Sequence, residues 1–372
     1  MGYPYQHISI LVMPVTKCNI KCKYCFKSND YDNCTMSHET LKRLIDISLP
    51  FYRKVSFIWH GGEPLLAGLD FFESAVRLQK EHPNTIVTNS MQSNLTLLDA
   101  DLASFLRENS FTIGGSFDGT TNDETRGHSD SILKGRSIAI DAGLKCGTIC
   151  VVSSKNIDSL IDDYIWFNES QINYTLNPYL TGDQADWFAV PEDVYVAKMI
   201  DLFDFWAHDT NCKISLKTFE SYVEYIANNK KSLCSYTSCL GKWLGVYPNG
   251  DIYPCNRVFP QSYCFGNVHD YSNIQECFNS KGFEKLIKEA IKRRNKCSSC
   301  PIFGFCSGGC NHNALLGGSV ENNGGFQCKT LIPIFSHVES CFNTWKSQDN
   351  IEELLNPFIV RKLDEAKEVT KP

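Results

Sequence analysis

The sequence predicts an α/β protein: a partial (β/α)6 barrel of parallel strands followed by a small cysteine-rich domain. Between Ile10 and about Pro178, short β-rich apolar runs alternate with amphipathic helical patterns, which is the mark of repeated βα units. Right-handed crossovers curl six consecutive units toward a partial barrel rather than a flat sheet. From Leu233 onward Gly, Pro, Asn and Cys dominate and periodicity fades. Metal, not an apolar core, is expected to hold that segment.

The six expected strands are His7–Met13, Lys54–Trp59, Thr85–Ser90, Thr112–Ser116, Lys145–Val152 and Ile172–Asn177. Helical periodicity fills the intervals at Ser37–Ile47, Leu69–Glu81, Leu97–Glu108, Ser131–Ala142 and Asn156–Asn168. A further helix is expected at Pro191–His208, and helical patterns return at Ile332–Trp345 and Asn350–Lys367. The organisation is therefore a barrel over residues 1–180, a bridging helical region over 181–232, the cysteine-rich domain over 233–330 and C-terminal helices over 331–372. Ligands of such sheets sit at the carboxyl ends of the strands.

The 372 residues are 42% hydrophobic and 21% charged, which excludes disordered and fibrous classes, and 18 of them are cysteine. The first apolar run, Ile8 to Val12, ends at Pro14 and reads as a strand, not a signal peptide. No stretch approaches the roughly 18 apolar residues of a membrane span. A cytoplasmic location with reduced thiols is expected, leaving zinc or iron–sulfur as the use of the sulfur. The net charge of −6 argues against nucleic acid or an anionic membrane as partner. The basic run Lys281–Lys296 reads as a solvated helix face.

Cys18, Cys22 and Cys25 form CxxxCxxC directly after the first strand. Three thiolates are one short of a closed zinc site, which His7 or Cys34 would have to complete, and one short of a fully ligated four-iron cluster. A cluster with three protein ligands keeps one iron open to a small molecule. CNIKCKYCF, with aromatic Tyr24, resembles the signature of radical S-adenosylmethionine (SAM) enzymes. Gly61-Gly62-Glu63-Pro64 at the end of the second strand looks like that family's GGEP. The stretch Gln92-Ser93-Asn94 resembles its QTN, and Ser116-Phe117-Asp118-Gly119 resembles its SxDG. The resemblance implies a SAM-binding [4Fe-4S] cluster on Cys18, Cys22 and Cys25, with Tyr24, Gly61, Gly62, Glu63, Gln92, Asn94, Ser116 and Arg126 around SAM. Turn chemistry is the competing reading of Asn94 and Asp118, and His60 is expected to be structural.

Cys239, Gly250 and Cys255 give Cx10Gx4C, and Cys297, Cys300, Cys306 and Cys310 give CxxCx5CxxxC before Cys328. This is similar to the seven-cysteine SPASM domain of peptide- and protein-maturing radical SAM enzymes, with Cys234 as an eighth thiol; a zinc ribbon is the competing reading. The resemblance assigns Cys234, Cys239, Cys255 and Cys310 to one auxiliary [4Fe-4S] cluster and Cys297, Cys300, Cys306 and Cys328 to a second, making three clusters in all. Of the remaining seven, Cys34, Cys146, Cys150, Cys212, Cys264, Cys277 and Cys341, most are expected to be buried.

The family implies reductive SAM cleavage to a 5′-deoxyadenosyl radical, an external electron donor such as flavodoxin or ferredoxin, and a peptide or protein substrate. The plan resembles the anaerobic sulfatase-maturating enzymes, which form formylglycine from Cys or Ser. Where those enzymes place a base aspartate after the second SPASM cysteine, this chain has Asn256, and an amide cannot take a proton as a carboxylate does. That departure shifts the expected reaction toward a carbon–carbon or thioether cross-link in a ribosomal peptide, with formylglycine formation or a small-molecule substrate as alternatives; the catalytic base is unassigned. With only seventeen residues ahead of Cys18, a peptide is expected to be grasped by the barrel, the Tyr179–Val190 loop or the SPASM region. Trp187, Phe188 and Tyr195 are candidate groove aromatics, with bridge-helix packing the favoured reading.

Overall fold

The structure, a computed structural model, describes residues 5–25, 34–181, 186–348 and 350–368. Eight strands run in chain order as β1 (Tyr5–Val12), β2 (Tyr52–Trp59), β3 (Ile86–Gln92), β4 (Thr112–Ser116), β5 (Cys146–Val152), β6 (Tyr174–Pro178), β7 (Trp243–Val246) and β8 (Ile252–Tyr253). The first six are the expected parallel half-barrel strands with helices between them. Two compact units divide the chain, one comprising residues 1–117, 125–147 and 239–288, the other 118–124, 148–238 and 289–372.

In the first unit β1 lies between β2 and β7, parallel to both, and the parallel order continues through β3 to β4. Central placement explains why β1 is buried on both faces from Ile8 to Val12: Ile8, Ile10 and Val12 are fully buried, and Ser9 and Leu11 on the other face nearly so. β2 instead alternates, burying Val55, Phe57 and Trp59. Trp59 meets the edges of Phe71 and Phe72 on the helix Leu69–Lys80, with centroids 6.0 and 5.6 Å away. The helix His38–Ser48 starts where Ser37 Oγ accepts the Thr40 N–H at 3.0 Å. The third helix begins at Ala100 rather than Leu97, because the Asp99 carboxylate accepts the Leu102 N–H and sets the cap there.

The expectation that residues beyond 233 lack an apolar core is corrected. β7 adds to β1, turns into β8, and buries Leu244, Val246, Ile252, Val268 and Ile274 completely. Each strand is so short that its few apolar residues leave no periodicity to read.

In the second unit β5 and β6 pair in parallel from Thr148↔Tyr174 to Val152↔Pro178. Helices Glu192–Ala207, Lys217–Asn228, Phe326–Lys346 and Pro357–Glu368 enclose an aromatic core of Phe203, Trp206, Phe219, Phe305 and Phe335. Lys217–Asn228 is a helix that the sequence reading passed over, although Phe219, Tyr222 and Val223 fall on one face. Phe326–Lys346 starts six residues before the expected Ile332 and runs through Pro333. Proline removes one helical hydrogen bond, and burial of Leu331, Ile334, Phe335 and Val338 outweighs that loss. The helix Lys281–Lys296 forms, but its reading as a wholly solvated face is corrected by Arg293, which is fully buried. No helix of the described residues is long and apolar enough to cross a membrane.

Candidate functional site

The loop after β1 carries Cys18, Cys22 and Cys25, and the ends of β2 and β3 fix it from below. Glu63 N–H donates to Lys17 O at 2.9 Å and Gly62 N–H to Val15 O at 3.2 Å, so the glycine turn runs against the cysteine loop backbone. The approach is so close that a Cβ on Gly62 would sit 2.1 Å from Lys17 O, and one on Gly61, whose φ is +138°, 2.5 Å from Met13 Cγ. His60 accepts the Gly61 N–H at Nδ1, in keeping with a structural role.

Glu63 is completely buried, and its carboxylate accepts from Leu65 N–H (3.0 Å), Ser93 Oγ–H (2.8 Å) and Asn94 N–H (2.7 Å). Burial pushes this carboxyl up to about 7, against the three hydrogen bonds that pull it down. Its visible work is to lock the β3 exit to the glycine turn. Asn94 then reaches the cysteines: its Nδ2 donates to Asn19 Oδ1 at 2.9 Å and lies 3.7 Å from Cys18 Sγ, while its Oδ1 accepts from Thr96. Asn94 thus closes a turn at the β3 exit and lies next to Cys18. Gln92 Nε2 donates to Gly115 O (2.7 Å) and Ser116 Oγ (3.0 Å), tying the end of β3 to the end of β4. Arg126 stacks over the Tyr24 ring at 5.3 Å, and Lys23 N–H donates to Thr125 O. Phe26, which closes the CNIKCKYCF motif, lies outside the described residues.

Burial raises the Cys18 thiol, and the Glu63 and Cys25 charges raise it further. The Cys18 thiolate is thus disfavoured in the absence of metal, a penalty that a bound cation reverses. The three-thiol donor set, on a loop held in place by the glycine turn, fits an iron–sulfur cluster with one open iron.

Asp118 belongs to the second unit and is fully buried; its Oδ1 accepts the Val151 N–H at 2.9 Å and its N–H donates to Asn122. There it is a fastener of β5. In the same unit, Cys306 is pushed up to about 12 by burial and then by Cys328, Cys297 and Cys300. Cys297 and Cys328 are likewise raised by burial and by their neighbours, so these four thiols form one electrostatic group. Sequence reasoning missed Arg293. Its guanidinium donates to Gly308 O (2.8 Å), Gly309 O, Val320 O and Asn311 Oδ1 (2.5 Å), wrapping the loop that holds Cys310, and its charge lowers both Cys297 and Cys328. One arginine in a basic run carries no sequence signal of burial.

The other assigned thiols divide between the units, Cys239 and Cys255 in the first, Cys234 and Cys310 in the second. Gly245 on β7 lets the Cys255–Asn256 backbone cross it, since a Cβ there would lie 2.3 Å from Cys255 C and O. Asn256 is buried beside that crossing. Of the seven unassigned cysteines, Cys146, Cys150 and Cys277 are buried, fewer than the expected majority. Trp187 is 74% exposed and Tyr195 is packed edge-on against Phe326, so the two are not a common groove. The second unit also holds a cavity of about 430 Å³ lined by Tyr179, Thr181, Val190, Asn313, Phe326 and Lys329. From the Tyr179–Val190 loop it takes in residues 179–181 together with Ala189 and Val190; residues 182–185 lie outside the described residues.

The radical SAM superfamily profile matches residues 12–166, and that of the SPASM iron–sulfur cluster-binding domain matches residues 234–301. A cysteine-type anaerobic sulfatase-maturating enzyme of Clostridium perfringens is 30% identical over 329 residues, spanning 82% of this chain and 88% of the relative. The chain belongs to the radical SAM/SPASM family of the anaerobic sulfatase-maturating enzymes. A solved structure of native anSMEcpe with bound AdoMet superimposes on this radical SAM enzyme with a TM-score of 0.83 at 26% identity, covering 92% of this chain and 100% of that one. Another, with AdoMet and a Cp18Cys peptide, gives 0.81 at 27% identity, covering 91% and 98%.

Proposed function

We propose that this radical SAM enzyme oxidises a cysteine or serine of a peptide or protein substrate to formylglycine, the alternative that the sequence reading placed second. The observation that carries it is the whole-length relationship to a cysteine-type sulfatase-maturating enzyme, the likeness extending to a peptide-bound structure. Cys18, Cys22 and Cys25 would hold the SAM-binding cluster, and the eight SPASM-region thiols two auxiliary clusters. When bound, the cluster with SAM supplies one-electron cleavage and hydrogen-atom abstraction. Around it, the Gly61–Gly62 backbone would receive the amino-acid end of SAM, with Glu63 holding the glycine turn in register. Gln92, Ser116, Asn94, Tyr24 and Arg126 would orient the rest. Flavodoxin or ferredoxin is the electron donor in this scheme.

Asn256 favours one second reading, a cross-link within a ribosomal peptide, because no carboxylate stands where the family's base aspartate does. The test is anaerobic turnover of a sulfatase active-site peptide, in cysteine and serine forms, with SAM and a reductant. Formylglycine formation gives 5′-deoxyadenosine and an aldehyde trapped by hydrazine. With candidate ribosomal peptides, loss of two hydrogens without fragmentation inside a ring supports the cross-link. No 5′-deoxyadenosine under any condition defeats both readings.

A further inference from the structure

Away from the cysteine groups, Asp204 on the helix Glu192–Ala207 faces His337 and Cys341 on the helix Phe326–Lys346, all within the second unit. His337 Nε2 lies 2.7 Å from Asp204 Oδ1 and 3.6 Å from Cys341 Sγ, and the three donor atoms all fall within 4.8 Å of one another. The spacing of His337 and Cys341, i and i+4, puts both on one helical face. The ring of Phe203 stands edge-on to the imidazole at 5.9 Å and fixes its plane.

One ring nitrogen serves both partners. A protonated Nε2 satisfies the carboxylate and leaves the thiol without an acceptor; an unprotonated Nε2 accepts from the thiol and repels the carboxylate. A nucleophile–histidine–acid relay is excluded by the same geometry, since it needs the two partners on different nitrogens. A divalent cation in place of the proton satisfies all three groups together.

We propose that Asp204, His337 and Cys341 form a zinc site that clamps the two helices, with water as the fourth ligand. Zinc takes this mixed set of sulfur, nitrogen and oxygen in tetrahedral geometry, whereas magnesium and calcium are held by oxygen. Zn–N and Zn–S bonds of about 2.0 and 2.3 Å put nitrogen and sulfur about 3.5 Å apart in a tetrahedron, matching the His337–Cys341 separation of 3.6 Å. Zn–N and Zn–O bonds of about 2.0 Å put nitrogen and oxygen about 3.3 Å apart, so the histidine–aspartate pair, now at 2.7 Å, opens by about 0.6 Å on binding. Asp204 is 46% and His337 30% exposed, so the ion has a path in and the water a place to sit. Thirteen residues separate Cys341 from Cys328, about 20 Å of helix, so the clamp is no part of the cysteine group that contains Cys328.

The test uses the reconstituted holoenzyme, loaded with zinc and passed over a chelating resin, with iron and zinc counted in the same sample. One retained zinc per chain is expected, with an absorption-edge ligand shell of one sulfur and three nitrogen or oxygen atoms. Cys341→Ser, His337→Ala and Asp204→Asn should each lower zinc affinity at least tenfold while iron content stays at the wild-type level. Zinc should raise the unfolding midpoint of the wild type and not that of a His337→Ala/Cys341→Ala double variant. A wild type that retains no zinc, a sulfur-only shell from occupied cluster thiols, or retention undiminished in the variants overturns the proposal.

Discussion

Glu63 illustrates how a motif residue can work at one remove. The acid in GGEP invites a direct role at the SAM amino group, yet three protein donors already occupy this carboxylate. Its pKa is raised from 4.5 to about 7. The folded protein therefore binds the proton more tightly than the unfolded chain, and this group's contribution to stability, full below pH 4.5, is lost as pH rises through about 7. Glu63→Gln should flatten that part of the stability profile of the apoprotein, read by denaturant midpoints. It should also weaken SAM binding, because one amide face now turns donors toward donors. Arg293→Met should lower the iron held by the SPASM-region thiols, since each carbonyl left unpaired costs about 1–3 kcal/mol; iron analysis and Mössbauer spectra read the loss. Asn256→Asp should raise the yield of trapped aldehyde if formylglycine is the product, and leave it unchanged if the peptide is cross-linked.

At the scale of elements, the glycine turn and the β7 crossing are set by backbone contact. Gly62→Ala would bring a Cβ to 2.1 Å from Lys17 O, where the obstacle is main chain and cannot swing away. Equilibrium binding should show SAM affinity falling at least tenfold with the auxiliary iron retained. Gly245→Ala forces the opposite pattern, displacing Cys255 and lowering auxiliary iron while the amino-terminal cluster still reduces. A strand such as β2 was legible because it buries a regular face, Val55, Phe57 and Trp59 alternating along it. β7 and β8 were not, being four and two residues long. The early start of Phe326–Lys346 was hidden by Pro333, whose local cost is outweighed by contacts distant in sequence.

For the whole molecule, a single thiol separates the amino-terminal chemistry from the rest. Cys22→Ala should abolish 5′-deoxyadenosine and every peptide product; under the proposed set of three four-iron clusters it should keep about two thirds of the iron. Alternating strand and helix patterns determined the half-barrel, and the resemblance of the cysteine spacing and strand-end motifs to a known family implied the candidate ligands, because metal ligation and close glycine turns demand particular residues at particular intervals. Tertiary structure alone decided that Glu63 is satisfied from within, that Arg293 is buried against a cysteine group, and that Asp204 meets His337 and Cys341 across two helices. Those facts depend on which side chains distant parts of the chain bring together, and burial and shared protons leave no periodic trace in the sequence.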